Sequence, residues 1–441
     1  MIHSKSIPIS ILALVCLLGA STSNADELAQ EIKLEYDQRL GALFEHFHRN
    51  PELSYLEIKT AERLAEELRA AGFEVTEGVG GTGLVAIMEN GTGPLVMMRA
   101  DMDGLPLAEK NGLPYASVVF QEDQRGNKVP VMHACGHDVH MTSLVGTARI
   151  MSASKSGWSG TLMLIGQAAE ERAGGAKSMK ADRIWERFGQ PDYALAFHVS
   201  AGDSIGKLGA VLGSPSSGSD SVELIIHGIG AHGASAHEGI DPIVLGSQIV
   251  MALQTVVSRD LPPREAGVIT VGSFHAGTTH NIIPDKAHLQ LTVRNDNFET
   301  RRILLEGIER VAKNMGRAAG LSEDLLPEVK IVSTSPPNMN DVMLTRRLRT
   351  LWANTFGDHV FADERRQGMF GEDFAFFTVD PYIPSTYFSV GGSSPTDVHA
   401  NNAGQIKIAP HHSPLFKIEP EGSVRFGVEV SVLALRELLQ E

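Results

Sequence analysis

Cysteine is nearly absent. Cys16 and Cys135 are the two cysteines in 441 residues, and Cys16 lies inside an apolar N-terminal run. Removal of that run leaves Cys135 alone, which excludes an internal disulfide and calls for another reason to keep a thiol in an oxidising setting. Positive charge is in deficit as well. Lys and Arg number 38 against 53 Asp and Glu, and the formal net charge of −15 argues against a nucleic-acid partner. There is no P-loop, no H-E-x-x-H and no internal repeat at solenoid spacing. The apolar run at residues 7–20 is too short to span a bilayer comfortably. With Lys5 before it and Ser23-Asn24-Ala25 after it, it reads as a signal peptide over residues 1–25, cleaved near Ala25. The expected product is exported, periplasmic or secreted, without stable membrane insertion.

The composition that remains is globular, with 42% hydrophobic and 21% charged residues. A chain of 441 residues exceeds one ordinary core, so two domains, or one domain carrying an insertion, are expected. The densest chemistry is VMHACGHDVHM at residues 131–141, which holds His133, Cys135, His137, Asp138 and His140. On an extended backbone His133, Cys135 and His137 would leave one face. A thiolate among imidazoles suits zinc, cobalt, nickel or manganese better than calcium or magnesium. A helix is expected to follow, with Asp138 near its start as an N-cap or as a partner to a metal ligand.

Three apolar runs with strand character each deliver chemistry at their ends. PLVMMRA leads into Asp101 and Asp103, GTLMLIGQA into Glu170 and Glu171, and YALAFHV carries His198. Open α/β sheets bind ligands outside their strand ends, so these groups read as the rim of one site. Earlier in the chain, Ser54 and Glu57 have capping-box spacing ahead of a helix that Gly72 would end. Small residues at 213–221 read as a linker. Beyond it, strand, helix, two strands, helix and strand suggest a ferredoxin-like insertion over residues 214–333. The expected fold is therefore α/β, a large metal-binding catalytic domain of residues 26–213 and 334–441 carrying an inserted βαββαβ domain.

Several separate segments, NPELSYLE, RADMDGLPL, HACGHDVH, QAAEE, GIGAHGASAHEGIDPI, NIIPDKAHLQLTVR, GEDF and HHSPLF, occur in the order of one known family. The chain resembles the M20 metallopeptidase superfamily, in its amidohydrolase branch of hippurate hydrolases, N-acyl-amino-acid amidohydrolases and auxin-conjugate hydrolases. The resemblance implies two divalent metal ions (zinc, manganese, cobalt or nickel) held by Cys135, His137, Glu171, His198 and His412. It implies Glu170 as general base, Asp103 as the aspartate that orients a ligand, and His232, Asn281, Arg294 and Glu372 as substrate contacts. The implied reaction is hydrolysis of the amide bond of an N-acyl or N-aryl-acyl amino acid. The alternatives are a dipeptidase or carboxypeptidase with the same centre, and a non-catalytic metal- or ligand-binding protein. The implied partners are a small N-acyl amino acid or short peptide and a second copy of the chain through the inserted lid domain. One departure stands out: residues 232–237 read HGASAH, without the Met-Pro pair usual in this branch.

Overall fold

The structure, a computed structural model, describes residues 26–363 and 368–440, so the expected signal peptide lies outside it. The chain divides into two compact units, one of Met1–Leu212, Asn340–Glu364 and Pro381–Glu441, the other of Gly213–Met339 and Arg365–Asp380. The GMFGEDFAFF segment was expected within the larger domain but groups with the smaller unit. Its backbone is bonded there: Ser217 N–H donates to Phe370 O at 2.7 Å and Ser335 Oγ–H to Glu372 O at 3.0 Å.

Among the described residues the larger unit is built on a seven-stranded sheet. Its order is Glu74–Val79, Gly83–Asn90, Gly160–Gln167, Leu95–Asp101, Tyr193–Ser204, Ser385–Ser393 and Leu208–Gly209. The four strands from Gly160–Gln167 to Ser385–Ser393 are parallel, and antiparallel strands flank them. Parallel strands covered on both faces need unbroken apolar runs, and Val96 to Met98 and Leu162 to Ile165 are fully buried. Parallel register also brings the carboxyl ends of these strands to one edge of the sheet, where their polar extensions can meet. Residues 78–83 spell G-x-G-x-x-G but turn between two antiparallel strands, which is no phosphate loop.

The His137–Ala153 helix is almost wholly buried, and the Pro420–Leu438 helix crosses it closely. A Cβ on Gly146 would lie 2.6 Å from Val428 Cγ2, so the glycine permits that approach. The Ile58–Ala70 helix ends as expected. Gly72 has φ 90°, its N–H reaches Arg69 O at 2.9 Å, and Phe73 N–H reaches Leu68 O at 3.1 Å, a Schellman ending. Its start departs from the capping-box expectation. Glu52 Oε2 accepts the Thr60 N–H at 2.8 Å instead, because Ser54 and Glu57 are drawn into longer-range bonds.

The smaller unit has the expected strand and helix order. Its sheet runs Gly267–Ala276, Lys286–Asn295, Gly218–His227, Glu328–Ser335, antiparallel throughout, and the Pro242–Thr255 and Phe298–Ala318 helices share its core. The first strand begins at Gly218, inside the stretch read as a linker, and buries Asp220 against Arg301 at 2.7 Å.

Candidate metal centre

Asp101 ends its strand fully buried. Arg99 Nη1 donates to Oδ2 at 2.9 Å, His140 Nδ1 lies 2.5 Å from Oδ1, and His137 Nε2 lies 3.5 Å from Oδ2. Burial works against this charge, yet Arg99, His137 and His140 together hold the carboxyl well below the usual carboxylate range. His140 Nε2 accepts the Val199 N–H at 2.9 Å, so the ring proton sits on Nδ1 and faces Asp101. Burial lowers the His140 pKa to about 3 against the pull of Asp101, so the ring is neutral.

Asp103 is a hub two residues further on. Its carboxylate accepts Ser54 Oγ–H at 2.6 Å, Glu170 N–H at 3.2 Å and Glu171 N–H at 3.1 Å, while its backbone carbonyl accepts His137 Nδ1–H at 2.8 Å. A carbonyl can only accept, so Nδ1 carries a proton and Nε2 is the ring atom that faces Asp101 and Glu171.

Residues 133–136 are not a strand. Gly136 takes φ 85° and His137 is the first residue of the helix. The expected common face of His133, Cys135 and His137 is therefore replaced by a turn that sets Cys135 and His137 side by side. A Cβ on Gly136 would lie 2.3 Å from Val199 Cγ1, so glycine is required both by conformation and by space. His133 falls outside the group. Its ring centroid is 6.5 Å from that of His137, burial lowers its pKa to about 4, and nothing in the structure explains why both its nitrogens lack a partner among the described residues. Asp138 is not an N-cap: it lies in the first turn, and its Oδ2 meets His48 Nδ1 at 2.6 Å.

His198 lies inside the Tyr193–Ser204 strand rather than at its end, just beyond the last pair with the Leu95–Asp101 strand, Arg99 and Ala196. Its Nδ1–H donates to Val199 O at 2.7 Å, and Nε2 lies 3.4 Å from Cys135 Sγ. Glu170 and Glu171 occupy a single 3₁₀ turn, Glu170–Arg172, flanked by Ala169 at φ 50° and Ala173 at φ 48°. A left-handed alanine costs roughly 1–2 kcal/mol, so both ends of this turn are held by their surroundings. His412 has φ 63°, and its N–H donates to Ala134 O at 2.9 Å, which ties its loop beside Cys135. Its half-exposed ring places Nε2 3.2 Å from Glu171 Oε2, a bond that raises its pKa.

These placements bring donor atoms into sets whose members lie within 4.8 Å of one another: Cys135, His137 and His198; Cys135, Glu171 and His412; His137, Glu170 and Glu171; and Asp101, His137 and His140. His137 Nε2 and Glu171 Oε1 are buried without a hydrogen-bond partner among the described residues. Burial opposes a charge on His137, yet Asp101, Asp103 and Glu171 push its pKa up to about 10. Burial first, then the negative charge of Glu171 and Glu170, pushes the Cys135 thiol up. Both shifts express one demand, for positive charge among these acids, which a cation meets better than a proton because it also stabilises a thiolate. Thiol, imidazole and carboxylate donors fit a divalent transition metal.

A model of peptidase family M20/M25/M40 matches residues 97–408, a span holding the whole cluster apart from His412. The chain belongs to peptidase family M20/M25/M40. It is 36% identical over 333 residues to hippurate hydrolase of Campylobacter jejuni, covering 75% of this chain and 82% of that one. It is 32% identical over 364 residues to N-acetyl-L-cysteine deacetylase of Bacillus subtilis, covering 82% of each. Among solved structures, the YxeP protein of Bacillus subtilis, described as a dinuclear metal-binding peptidase from the M20 family, matches with a TM-score of 0.74 at 26% identity, over 92% of this chain and 98% of that one. The M20-family chain is thus a hydrolase of the amidohydrolase and peptidase class.

In this M20 enzyme the sequence placed Asp101 on the rim and His140 in the dense segment without a role for either, and Ser54 and Glu57 read as a helix cap. Arg99 was missed, because its buried pairing with Asp101 left no local signal. Glu57 is fully buried, its Oε1 accepts the Ala169 N–H at 2.8 Å, and burial followed by the charge of Asp103 raises its pKa to about 7.

The expected substrate contacts lie in the smaller unit. His232 and Asn281 are neighbours on a short ribbon in which His232 pairs with Ile282 and Gly233 N–H donates to Asn281 O at 2.8 Å. His232 Nδ1 accepts the Ala234 N–H at 3.0 Å, which leaves a neutral ring with its proton on Nε2. Arg294 lies on the Lys286–Asn295 strand, and burial lowers its pKa. A Cβ on Gly371 would lie 3.3 Å from its Nη1. Glu372 is buried and accepts the Phe374 N–H at 2.9 Å.

Proposed function

We propose that this chain hydrolyses the amide bond of N-acyl or N-aryl-acyl amino acids at two divalent metal ions held by Cys135, His137, Glu171, His198 and His412. The observation that carries the reading is the sharing of Cys135 between two donor triads, Cys135–His137–His198 and Cys135–Glu171–His412. Hippurate hydrolase and N-acetyl-L-cysteine deacetylase are both named for N-acyl amino acids, which supports the substrate class. Zinc, manganese, cobalt or nickel ions supply Lewis-acid activation of water and of the substrate carbonyl when bound.

The chain's own residues do the rest. Glu170 takes the proton of the attacking water on its carboxylate and returns it to the amine nitrogen as the carbon–nitrogen bond breaks. Asp103 fixes the actors through three bonds, from the Glu170 and Glu171 amides and from His137 Nδ1. The Asp103 carbonyl orients His137 from behind at Nδ1, and His140 packs edge-on against His198 with ring centroids 4.5 Å apart. In substrate recognition, His232 Nε2–H and the Asn281 amide are hydrogen-bond donors suited to an amide carbonyl, Arg294 is suited to the carboxylate of the amino-acid product, and Glu372 is a further substrate contact.

The test is hydrolysis of hippurate, N-acetyl amino acids and unblocked dipeptides by the purified chain. The reading expects cleavage of the N-acyl compounds, abolished by a chelator and restored by Mn²⁺ or Zn²⁺. No amidase activity with any of these metals overturns it. Export and dimerisation belong to the same proposal. Exposed Val244 and Met251 on the Pro242–Thr255 helix and Val268 and Phe274 on the edge strand Gly267–Ala276 support pairing with a second copy. Sedimentation at twice the chain mass, and a mature N-terminus near Asp26 in the exported fraction, check these two points.

A further inference from the structure

The turn that presents Glu170 and Glu171 has three consecutive amide N–H groups, and carboxylates from elsewhere in the chain take all three. Glu57 Oε1 accepts Ala169 N–H at 2.8 Å, and Asp103 accepts Glu170 N–H at 3.2 Å and Glu171 N–H at 3.1 Å. Asp103 is itself gripped by Ser54, and Glu57 by the hydroxyl of Thr82. Between Ser54 and Glu57, Tyr55 backs the same turn from its far side. A Cβ on Gly174 would lie 2.1 Å from Tyr55 Oη, so the chain beyond Arg172 packs against that phenol. Ala169 O closes the loop by accepting the N–H groups of Gly174 at 3.4 Å and Gly175 at 3.2 Å. One four-residue stretch, far away in sequence, therefore meets the turn directly at two points, Glu57 and Tyr55, and at a third through Asp103.

We propose that residues 54–57 are a clamp that imposes the left-handed conformation of Ala169, and that Glu57 is the positioning residue for the Glu170–Arg172 turn. This rests on the reading of Glu170 as proton carrier and Glu171 as metal ligand. An isolated alanine prefers right-handed or extended backbone, and φ 50° at Ala169 persists because Glu57 fixes the peptide plane before it through the Ala169 N–H while Asp103, held by Ser54, fixes the plane after it through the Glu170 N–H. Rotation of Ala169 to a relaxed conformation would swing the following two side chains away from Cys135 and His137. Glu57 touches none of the reacting atoms; its effect passes through the backbone.

The test compares Glu57→Ala, Glu57→Gln and the unaltered chain in two readouts. The first is kcat and KM for an N-acyl amino acid at saturating metal. Glu57→Ala lowers kcat by roughly 10- to 100-fold with KM little changed, the scale seen when an outer partner of a metal site is removed. Glu57→Gln keeps an acceptor for Ala169 and recovers most of the loss. The second readout needs no activity: tryptic cleavage after Arg172, which is exposed in the turn. Glu57→Ala speeds that cut on the order of tenfold over cuts elsewhere, because the turn opens locally, and Glu57→Gln does not. Where Glu57→Ala fails to fold, Thr82→Ala, which loosens Glu57 without removing it, moves both readouts in the same direction. Cleavage after Arg172 that stays at its original rate in these variants, or a kcat within twofold of the original, overturns the clamp. If the unaltered chain hydrolyses nothing, the functional reading falls and the tryptic readout alone decides the clamp.

Discussion

Glu170 and Glu171 are chemically identical neighbours to which the proposed mechanism gives different tasks. Both lie beside His137, and Glu171 also lies beside Cys135 and His412, with one oxygen buried and without a hydrogen-bond partner among the described residues. Glu170→Gln should lower kcat by on the order of 100- to 10,000-fold, the usual contribution of a general acid–base group, with bound metal unchanged. Metal analysis beside steady-state kinetics checks this, and loss of metal in that variant would assign Glu170 to the ligands instead. Arg99 gives a stability prediction at the same scale. It is fully buried against Asp101, so Arg99→Met strands a carboxylate and should cost roughly 3–5 kcal/mol in urea unfolding. A change below about 1 kcal/mol would mean that the histidines alone carry the charge. The candidate donors Cys135, His137, Glu171 and His198 were legible in the sequence because thiol, imidazole and acid side chains crowd into few positions, whereas His412 came from the family resemblance. Glu57 was not, because its spacing from Ser54 imitates a local cap while its bonds run to Thr82 and Ala169.

At the scale of elements, the sheet could be read from its apolar runs and the acids at their ends, since buried parallel strands leave an unbroken hydrophobic pattern. The failure was the extended reading of residues 131–137, where alternation placed three donors on one face. A single glycine decides otherwise. Gly136 in the left-handed region turns the chain into the His137–Ala153 helix, and no periodicity records that turn. Gly136→Ala would set its methyl 2.3 Å from Val199 Cγ1 in a conformation alanine resists. It should destabilise the fold by more than about 1 kcal/mol and weaken metal binding together. Thermal unfolding with and without metal checks the pair, and an unchanged midpoint with full metal affinity would contradict it. His412 belongs to an element of another kind, a loop, and periodicity carried no signal for it.

At the scale of the molecule, the βαββαβ order of the smaller unit was legible, but the membership of residues 368–380 in that unit was not, because it depends on hydrogen bonds across long sequence separations. Folding of the larger unit also carries a pH signature. His48 is buried between Asp138 at 2.6 Å and Glu109 at 2.9 Å. Burial disfavours its charge, but the two carboxylates raise its pKa from 6.5 to about 9. The folded chain thus keeps a proton that the unfolded chain has released. That stabilisation is complete below pH 6.5 and is lost as pH rises to about 9, by at most about 1.4 kcal/mol per pH unit. Urea midpoints across this window should fall more steeply for the original chain than for His48→Gln, and equal slopes would remove His48 from the account.

The central claim is a two-ion centre organised around one thiol. Anomalous scattering at the metal edge, recorded from crystals of the protein loaded with zinc or manganese, tests it most directly. Two peaks are expected, one within bonding distance of Cys135, His137 and His198 and the other of Cys135, Glu171 and His412. No peak at Cys135, or a single ion confined to Asp101, His137 and His140, would contradict it.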